Sequence, residues 1–227
     1  AALEDMRALI RGGADGFIIE NFGDVPYTTA IGPDSFAAMC GVAALLAAEA
    51  TVPFGINVQF NCVREEWALA RAVGADFIRV EAFVESRAGS FGVTHGAAPE
   101  LMRLREQLPA DTMIFADVFS KGSYPLVDQP LDATVREAVA CGADAVIVTG
   151  LATGKSPSLE EVRGIKSFAG AIPVLLGSGI GVENVDALLG AADGVIAGSW
   201  IKEAGQVQNR VDPHRVRRLA DAVRQGR

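Results

Sequence analysis

Short apolar runs alternate along this chain with segments in which apolar residues recur every three or four positions. Near-continuous apolar runs are typical of parallel strands covered on both faces, and the periodic segments are typical of amphipathic helices. Such alternation predicts a parallel sheet with right-handed helical crossovers. The predicted strands lie near 17–20, 53–59, 77–81, 112–117, 145–149, 172–177 and 194–198. The predicted helices cover about 2–11, 34–49, 64–73, 99–107, 131–141, 158–168, 183–190 and 212–224.

Four of the predicted strands begin in the same way, with a small residue, alanine and aspartate. These copies carry Asp15, Asp76, Asp144 and Asp193, which are separated by 61, 68 and 49 residues. The spacing between successive aspartates is too long for one strand and one helix, and it fits two strand–helix units. A second type of strand lies between the copies, so the chain repeats by quarters.

Seven strands and eight helices predict an α/β fold, a (β/α)8 TIM barrel whose first strand is absent from this chain. The first copy of the repeat has no strand of the second type before it, so we expect that strand upstream of residue 1. An open doubly wound sheet is the rival, but no GxGxxG follows the first strand. No low-complexity linker interrupts residues 1–227, which predicts one domain.

Polar residues stand where several of these strands end, and the ends of barrel strands carry the active site. Alternation along each strand places them on the face that points into the barrel. Glu20, Glu81 and Asp117 are candidates for catalytic acid or base, and Arg79 is a candidate clamp for an anion. A purely structural ion pair from Arg79 to Glu81 or Glu20 is the alternative. Candidate substrate-binding residues at these ends are Asn21, Asn57, Gln59 and Thr149.

Two glycine-rich turns follow the last two predicted strands. If the strand expected upstream is counted as the first, the seventh strand of the barrel is followed by Gly177, Ser178 and Gly179, and the eighth is followed by Gly198 and Ser199. Glycines allow backbone amides to approach an anion closely, and barrels of this class often hold phosphate at this pair of loops. We expect a phosphate site there, to which Lys202 could add a charge.

Three long loops, 21–33, 82–98 and 118–130, are predicted at the same end of the barrel. Long loops in compact domains often bind ligands or close over them. His95 and Lys121 are therefore further candidates for substrate binding. No metal-ligand spacing is evident, although three carboxylates and an asparagine could hold Mg²⁺.

The chain is acidic, with a formal net charge of -8, which weighs against nucleic acid as a partner. Its longest apolar stretch, near 42–48, is too short for a transmembrane segment. Three widely spaced cysteines favour reduced thiols and the cytoplasm.

We expect a small phosphorylated ligand as the partner, and self-association into a homo-oligomer.

Several motifs are similar to those of the BtpA/SgcQ family. They include GADGFIIENFGDVPY from residue 13, GADFIRVEAFV from 74, IFADVFSKGSYPL from 114 and PVLLGSGIGVENV from 173. The resemblance covers essentially the whole chain. It implies a phosphate-binding barrel of the ribulose-phosphate-binding type, with a first strand ahead of the first helix.

The resemblance leaves two functions open. One is an isomerase, epimerase or lyase acting on a phosphorylated sugar or a nucleotide-derived metabolite, because members also occur beside sugar or nucleoside metabolism. The other is a non-catalytic assembly factor for a membrane complex, because the family takes its name from photosystem I biogenesis. The second function implies peripheral association with a membrane.

Overall fold

The described residues of the computed structural model, 1–118, 120, 122–149 and 156–226, form ten strands and eight α-helices. The strands are β1 (Phe17–Glu20), β2 (Phe54–Asn57), β3 (Phe77–Val80), β4 (Arg87–Gly89), β5 (Gly92–Thr94), β6 (Met113–Val118), β7 (Ser123–Pro125), β8 (Ala145–Val148), β9 (Val174–Leu176) and β10 (Gly194–Val195). The helices are α1 (Ala2–Gly12), α2 (Pro33–Ala47), α3 (Val63–Val73), α4 (Ala98–Gln107), α5 (Leu131–Ala140), α6 (Leu159–Ala169), α7 (Val185–Leu189) and α8 (Pro213–Gln225).

Seven of the strands form one parallel sheet in the order β1-β2-β3-β6-β8-β9-β10. Each strand of this sheet is followed by a helix before the next begins. The sheet curls as in a TIM barrel, with β1 and β10 at its two edges and α1 packed against α8. The predicted α/β barrel, with seven strands in the described part of the chain, is confirmed.

The repeated aspartate joins one strand to the next. Asp76 accepts a hydrogen bond from the backbone N–H of Phe54 at 2.8 Å, and Asp144 accepts one from Ile114 at the same distance. Asp193 accepts the equivalent bond from Val174 at 2.7 Å. Each carboxylate thus satisfies an N–H group at the start of the neighbouring strand, where the ladder has not yet begun. The repeat is a device that fixes the register of paired strands.

The outer face of the sheet carries the main core. Ile56, Ile78 and Ile114 are fully buried against side chains of the surrounding helices, among them Trp67 and Leu101. Burial of large apolar side chains is the dominant stabilising term in folds of this kind. Because this apolar core lies on the outer face of the sheet, polar groups can occupy the inner face near the strand ends.

Below those polar groups, aromatic rings fill the inside of the barrel. Phe77 stacks on Phe115 with ring centroids 4.4 Å apart. The Phe77 ring also lies over Gly55 on β2, where a Cβ atom would stand 2.2 Å from its edge. Glycine at this position is required by packing, because any side chain would displace the ring.

Replacing Gly55 with alanine is expected to lower the free energy of unfolding by about 1–3 kcal/mol, because the new methyl group overpacks the barrel interior. The matched control is Gly41→Ala in α2, where an added Cβ meets nothing within 4 Å. That change should stabilise by about 0.5–1 kcal/mol, since alanine favours the helix. Urea unfolding followed by circular dichroism measures both. Equal effects of the two changes would contradict this account of Gly55.

Two of the long loops contain a second, three-stranded antiparallel sheet, which sequence reasoning missed. Its order is β5-β4-β7, so the loop after β3 pairs with the loop after β6. The buried Arg87 of β4 forms an ion pair with Glu85 at 2.8 Å. Its guanidinium also donates to the Ser123 hydroxyl at 2.8 Å and to the Ser120 carbonyl at 2.9 Å. This front sheet therefore fixes the two loops to each other.

Candidate functional site

An ion triad lies at the carboxyl ends of β1, β3 and β6. Arg79 donates from Nε and Nη2 to the two carboxylate oxygens of Asp117, each at 3.0 Å. Its Nη1 donates to Glu20 Oε1 at 3.2 Å. A bidentate arginine–carboxylate pair fixes both partners in one plane. Asp117 is thereby buried, with 1% of its side chain exposed, whereas Glu20 keeps 23%.

A second group of polar side chains surrounds Glu81, just beyond β3. Asn57 donates from Nδ2 to Glu81 Oε1 at 2.9 Å and to the Arg79 carbonyl at 2.7 Å. The backbone N–H of Asn61 donates to Glu81 Oε2 at 3.2 Å. Glu81 is therefore bound to the β2 end. Of the two structural ion pairs that the sequence left open for Arg79, the structure contains the one with Glu20, at 3.2 Å.

The Glu81 group continues to the loop after β1. Gln59 donates from Nε2 to Asn57 Oδ1 at 3.1 Å. Its backbone N–H donates to Asn21 Oδ1 at 2.7 Å, and Asn21 Nδ2 donates back to the Gln59 carbonyl at 3.3 Å. Asn21, Asn57 and Gln59 thus form one connected series. The structure brings together seven of the predicted site residues: Glu20, Asn21, Asn57, Gln59, Arg79, Glu81 and Asp117.

The carboxyl groups of the site differ in acidity for physical reasons. Burial raises the pKa of Glu81 to about 8, although the hydrogen bond from Asn57 opposes the shift. Burial also raises the pKa of Glu20, and the positive charge of Arg79 opposes that change. The pKa of Arg79 is raised by Asp117 against the effect of its own burial, so it stays charged. Near neutral pH, Glu81 is therefore largely a neutral acid near the positive charge of Arg79.

Asn61 is a structural member of the site that sequence reasoning missed. It has a left-handed backbone, with φ at 61°, and its side chain reaches the loop after β3. Its Oδ1 accepts from the backbone N–H of Ala82 at 3.1 Å, and its Nδ2 donates to Thr94 Oγ1 at 3.2 Å. Asparagine tolerates this backbone region better than most residues. The sequence signal that could have identified Asn61 is its position shortly after the end of a predicted strand.

Glu66 is a second residue that the sequence did not single out. It lies on α3 with no exposed surface, and its carboxylate faces the backbone of Val58 and Arg79 without a well-formed hydrogen bond. Burial, together with the nearby carboxyl group of Glu81, raises its pKa well above the ordinary value. The surroundings of Glu66 therefore favour its protonated form.

The two glycine-rich turns lie side by side, because β9 and β10 are paired in parallel. Gly177 packs closely on β8, since a Cβ there would stand 2.4 Å from Ile147 Cγ2. Gly179 has a φ of 66°, which favours glycine. Beyond β10, Gly198 precedes a short 3₁₀ helix, Ser199–Ile201.

The first of these turns contains an unsatisfied polar atom. The hydroxyl of Ser178 is buried and has no hydrogen-bond partner within the described part of the chain. The turn itself is held by Asn184, which accepts from the Gly181 N–H at 3.0 Å and donates to the Gly179 carbonyl at 2.8 Å. A buried hydroxyl without a partner is costly, and a bound ligand would relieve that cost.

The remaining sequence candidates lie apart from the bonded network. The exposed ring of His95 contacts the Ser86 hydroxyl at 3.4 Å. Thr149 is buried at the end of β8, next to the Gly177 turn. Nζ of Lys202 lies 3.6 Å from Oδ2 of Asp5 in α1, so the charge of Lys202 is directed toward that helix. Lys121 falls outside the described residues.

The donor set of this site does not suit a metal ion. Within the described ranges, no group of three or more histidine, cysteine, aspartate or glutamate side chains is arranged to hold one. Two of the carboxylates that could have bound Mg²⁺, Glu20 and Asp117, are instead directed at the guanidinium of Arg79.

Comparison with known sequences identifies the family. A model of the BtpA family matches residues 1–225. The chain belongs to the BtpA family. This BtpA-family chain is 37% identical over 227 residues to the photosystem I biogenesis protein BtpA of Synechocystis, covering 99% of this chain and 79% of that protein. It is 38% identical over 223 residues to an Archaeoglobus fulgidus protein described as uncharacterized, covering 98% and 88%.

Solved structures show the fold of this BtpA-family chain independently. N-(5'-phosphoribosyl)anthranilate isomerase from Pyrococcus furiosus superimposes with a TM-score of 0.64 at 14% identity, covering 98% of this chain and 94% of that one. A structure titled "Native KDPGal structure" also gives 0.64, at 16% identity, covering 99% and 89%. Identities this low support the barrel fold alone.

Proposed function

We propose that this protein is an enzyme that performs acid–base chemistry on a phosphorylated sugar or a nucleotide-derived metabolite. The observation that carries the proposal is the pair of carboxyl groups, Glu20 and Glu81, in different environments at one barrel mouth. Burial raises the pKa of both groups, but the positive charge of Arg79 is the main opposing effect at Glu20, whereas the hydrogen bond from Asn57 is the main one at Glu81. Paired acids in different surroundings are typical of acid–base sites. Glu20 also keeps 23% of its side chain exposed, so a substrate at the barrel mouth could reach it.

The geometry suits a division of roles between the two groups. Glu20, beside the positive charge of Arg79, is the proposed base that removes a proton from the substrate carbon. Glu81, largely protonated near neutral pH, is the proposed acid that gives a proton to the substrate oxygen. Because all three nitrogens of the Arg79 guanidinium are engaged, Arg79 positions Glu20 and Asp117. A pair of this kind suits isomerase, epimerase and lyase reactions that move a proton at carbon.

A phosphate group on the substrate would be held by the turns at 177–179 and 198–199. Two neighbouring glycine turns and the unpartnered Ser178 hydroxyl support this site. The same fold occurs in an N-(5'-phosphoribosyl)anthranilate isomerase, whose name includes a phosphoribosyl group. Anchoring one end of the substrate would orient its reacting carbon toward the carboxyl groups.

The phosphate site has a direct test at Ser199, which is exposed beside Gly198. Inorganic phosphate should raise the melting temperature of the wild-type protein, because a ligand of the folded state stabilises it. Ser199→Asp is expected to abolish this rise, since its charge repels phosphate. Ser199→Asn introduces a side chain with the shape of aspartate but no charge, so this variant should retain the rise in melting temperature. Differential scanning fluorimetry at increasing phosphate concentration measures all three.

Two results would count against the proposed site. A melting temperature of the wild-type protein that does not change with phosphate or with sugar phosphates would remove the main support for a phosphorylated substrate. An equal response of Ser199→Asp and Ser199→Asn would place any bound phosphate elsewhere.

A role in assembling a membrane complex is the second proposal. The name of the Synechocystis relative supports it, and so do exposed apolar residues on and beside the front sheet, including Val93, Tyr124, Leu126 and Val127. None of the helices in the described segments is both long and apolar enough to cross a bilayer. Liposome flotation tests the proposal. A protein that stays off membranes would contradict it.

We further propose a cytoplasmic protein that forms homo-oligomers. A structural relative from Thermotoga maritima is described as a dimeric phosphoribosylanthranilate isomerase, and exposed apolar side chains such as Tyr124 offer contact surface. Light scattering coupled to size-exclusion chromatography would measure the mass. A monomer at all concentrations would contradict the proposal.

A further inference from the structure

A cleft of about 130 Å³ opens beside the Asn21–Gln59 pair, outside the ion triad. Five of the side chains that line it are polar: Asn21, Asp24, Thr28, Ser35 and Gln59. They come from the loop after β1, from the first turn of α2 and from the end of β2. Nothing in the acid–base network described above uses Asp24, Thr28 or Ser35.

The cleft has the size and lining of a site for one small polar ring. Its volume corresponds to roughly four water molecules and is slightly less than the roughly 150 Å³ of an engineered cavity that binds benzene. Pro26 and Ile31 add apolar surface among the polar side chains. A sugar ring combines hydroxyl groups at its edge with C–H groups on its faces, and so matches this mixed lining.

Asp24 has the capacity to bind hydroxyl groups. Its carboxylate receives a weak contact from Asn21 Nδ2 at 3.4 Å, which leaves most of its acceptor positions available. The Thr28 hydroxyl donates to the Ala30 carbonyl at 2.7 Å and can still accept. Hydroxyl groups that donate to a carboxylate make short, strong bonds. A divalent cation would need about six oxygen ligands, and Asp24 is the carboxylate that the described lining provides.

The cleft is connected to the acid–base groups by hydrogen bonds. Gln59 lines the cleft and donates to Asn57, which in turn donates to Glu81. Asn21 lines it from the other side and directly follows Glu20. A ring in the cleft would therefore lie beside residues that contact or adjoin the proposed acid and base.

We propose that this cleft binds the hydroxyl-bearing ring of a sugar phosphate, with Asp24 accepting hydrogen bonds from its hydroxyl groups. The inference rests on the proposed function and adds to it the class of substrate and the residue that selects it. The glycine turns would hold the phosphate and the cleft would hold the sugar.

The test measures the affinity of the full chain for ribose 5-phosphate and for inorganic phosphate by isothermal titration calorimetry. We expect wild-type protein to bind ribose 5-phosphate at least about tenfold more tightly than inorganic phosphate. Asp24→Ala should lose roughly 10- to 100-fold in affinity for ribose 5-phosphate, as removal of hydrogen bonds to a charged group does. Its affinity for inorganic phosphate should not change.

The charge-matched control is Asp111→Ala, at an exposed position just before β6, at the other end of the barrel. It should bind both probes as the wild type does. If ribose 5-phosphate binds no more tightly than inorganic phosphate, or if Asp24→Ala binds it normally, the cleft assignment is overturned while the phosphate site stands. If neither probe binds any variant, the proposed function itself fails, and the cleft assignment fails with it.

Discussion

Replacing Arg79 with methionine is expected to lower the free energy of unfolding by about 3–5 kcal/mol, because it leaves Asp117 buried and charged without its partner. The loss should be smaller near pH 4 than near pH 8, since burial raises the pKa of Glu20 and its protonation removes one of the uncompensated charges. Chemical unfolding followed by circular dichroism at the two pH values measures the effect.

Two further variants make this result interpretable. Arg71→Met makes the same substitution on the exposed face of α3, where Arg71 donates to the Pro109 carbonyl at 3.4 Å. It should change stability by no more than about 0.5 kcal/mol. Arg79→Lys keeps the charge but loses the bidentate geometry, so its free energy of unfolding should lie between those of Arg79→Met and Arg71→Met. Arg79→Met unfolding like Arg71→Met would show that the triad does not support the fold.

Replacing Glu81 with glutamine is expected to flatten the pH dependence of stability and to remove catalysis. The folded-state pKa of Glu81, about 8, lies above the ordinary value of 4.5. The stability contributed by this group is therefore fully present below about pH 4.5 and is lost as the pH rises to about 8, because the unfolded chain ionises Glu81 in this range while the folded protein keeps it protonated. Glutamine cannot ionise, so the variant should lack this decline.

The matched control for Glu81→Gln is Glu160→Gln, an exposed glutamate in the first turn of α6. It should keep the wild-type pH profile. Once a substrate is identified, Glu81→Gln should lower turnover by roughly 10²- to 10⁴-fold, as loss of a general acid does. A Glu81→Gln profile that declines as steeply as wild type between pH 5 and about pH 8 would remove Glu81 as a raised-pKa acid.

The barrel could be predicted from the sequence because its signals are local and repeated. Near-continuous apolar runs gave the strands, and the Gly-Ala-Asp turns gave the quarter repeat. The hydrogen bonds of Asp76, Asp144 and Asp193 explain why that turn recurs. Alternation along each strand was also sufficient to place Glu20, Asn57, Arg79 and Asp117 at one mouth.

The choice of partners within the site could not be predicted. Glu81 and Arg79 share a strand face in the sequence pattern, yet Arg79 reaches across to Asp117 on the neighbouring β6. Partner choice depends on side-chain reach between strands that are 38 residues apart in the chain. The front sheet was missed for a similar reason, because its strands are three residues long and β4 pairs with β7 of a different long loop, where Arg87 lies opposite Pro125.

The front sheet has a consequence for how a ligand enters the barrel. Backbone pairing of β4 with β7, reinforced by Arg87, means that the loops after β3 and β6 open together or not at all. Hydrogen exchange should therefore show their amides as one slow cooperative unit. The loop after β1 lies outside this sheet, and most of its residues are exposed. We therefore expect the amides of residues 21–33 to exchange faster than those of the front sheet, and a substrate to enter on this side of the barrel.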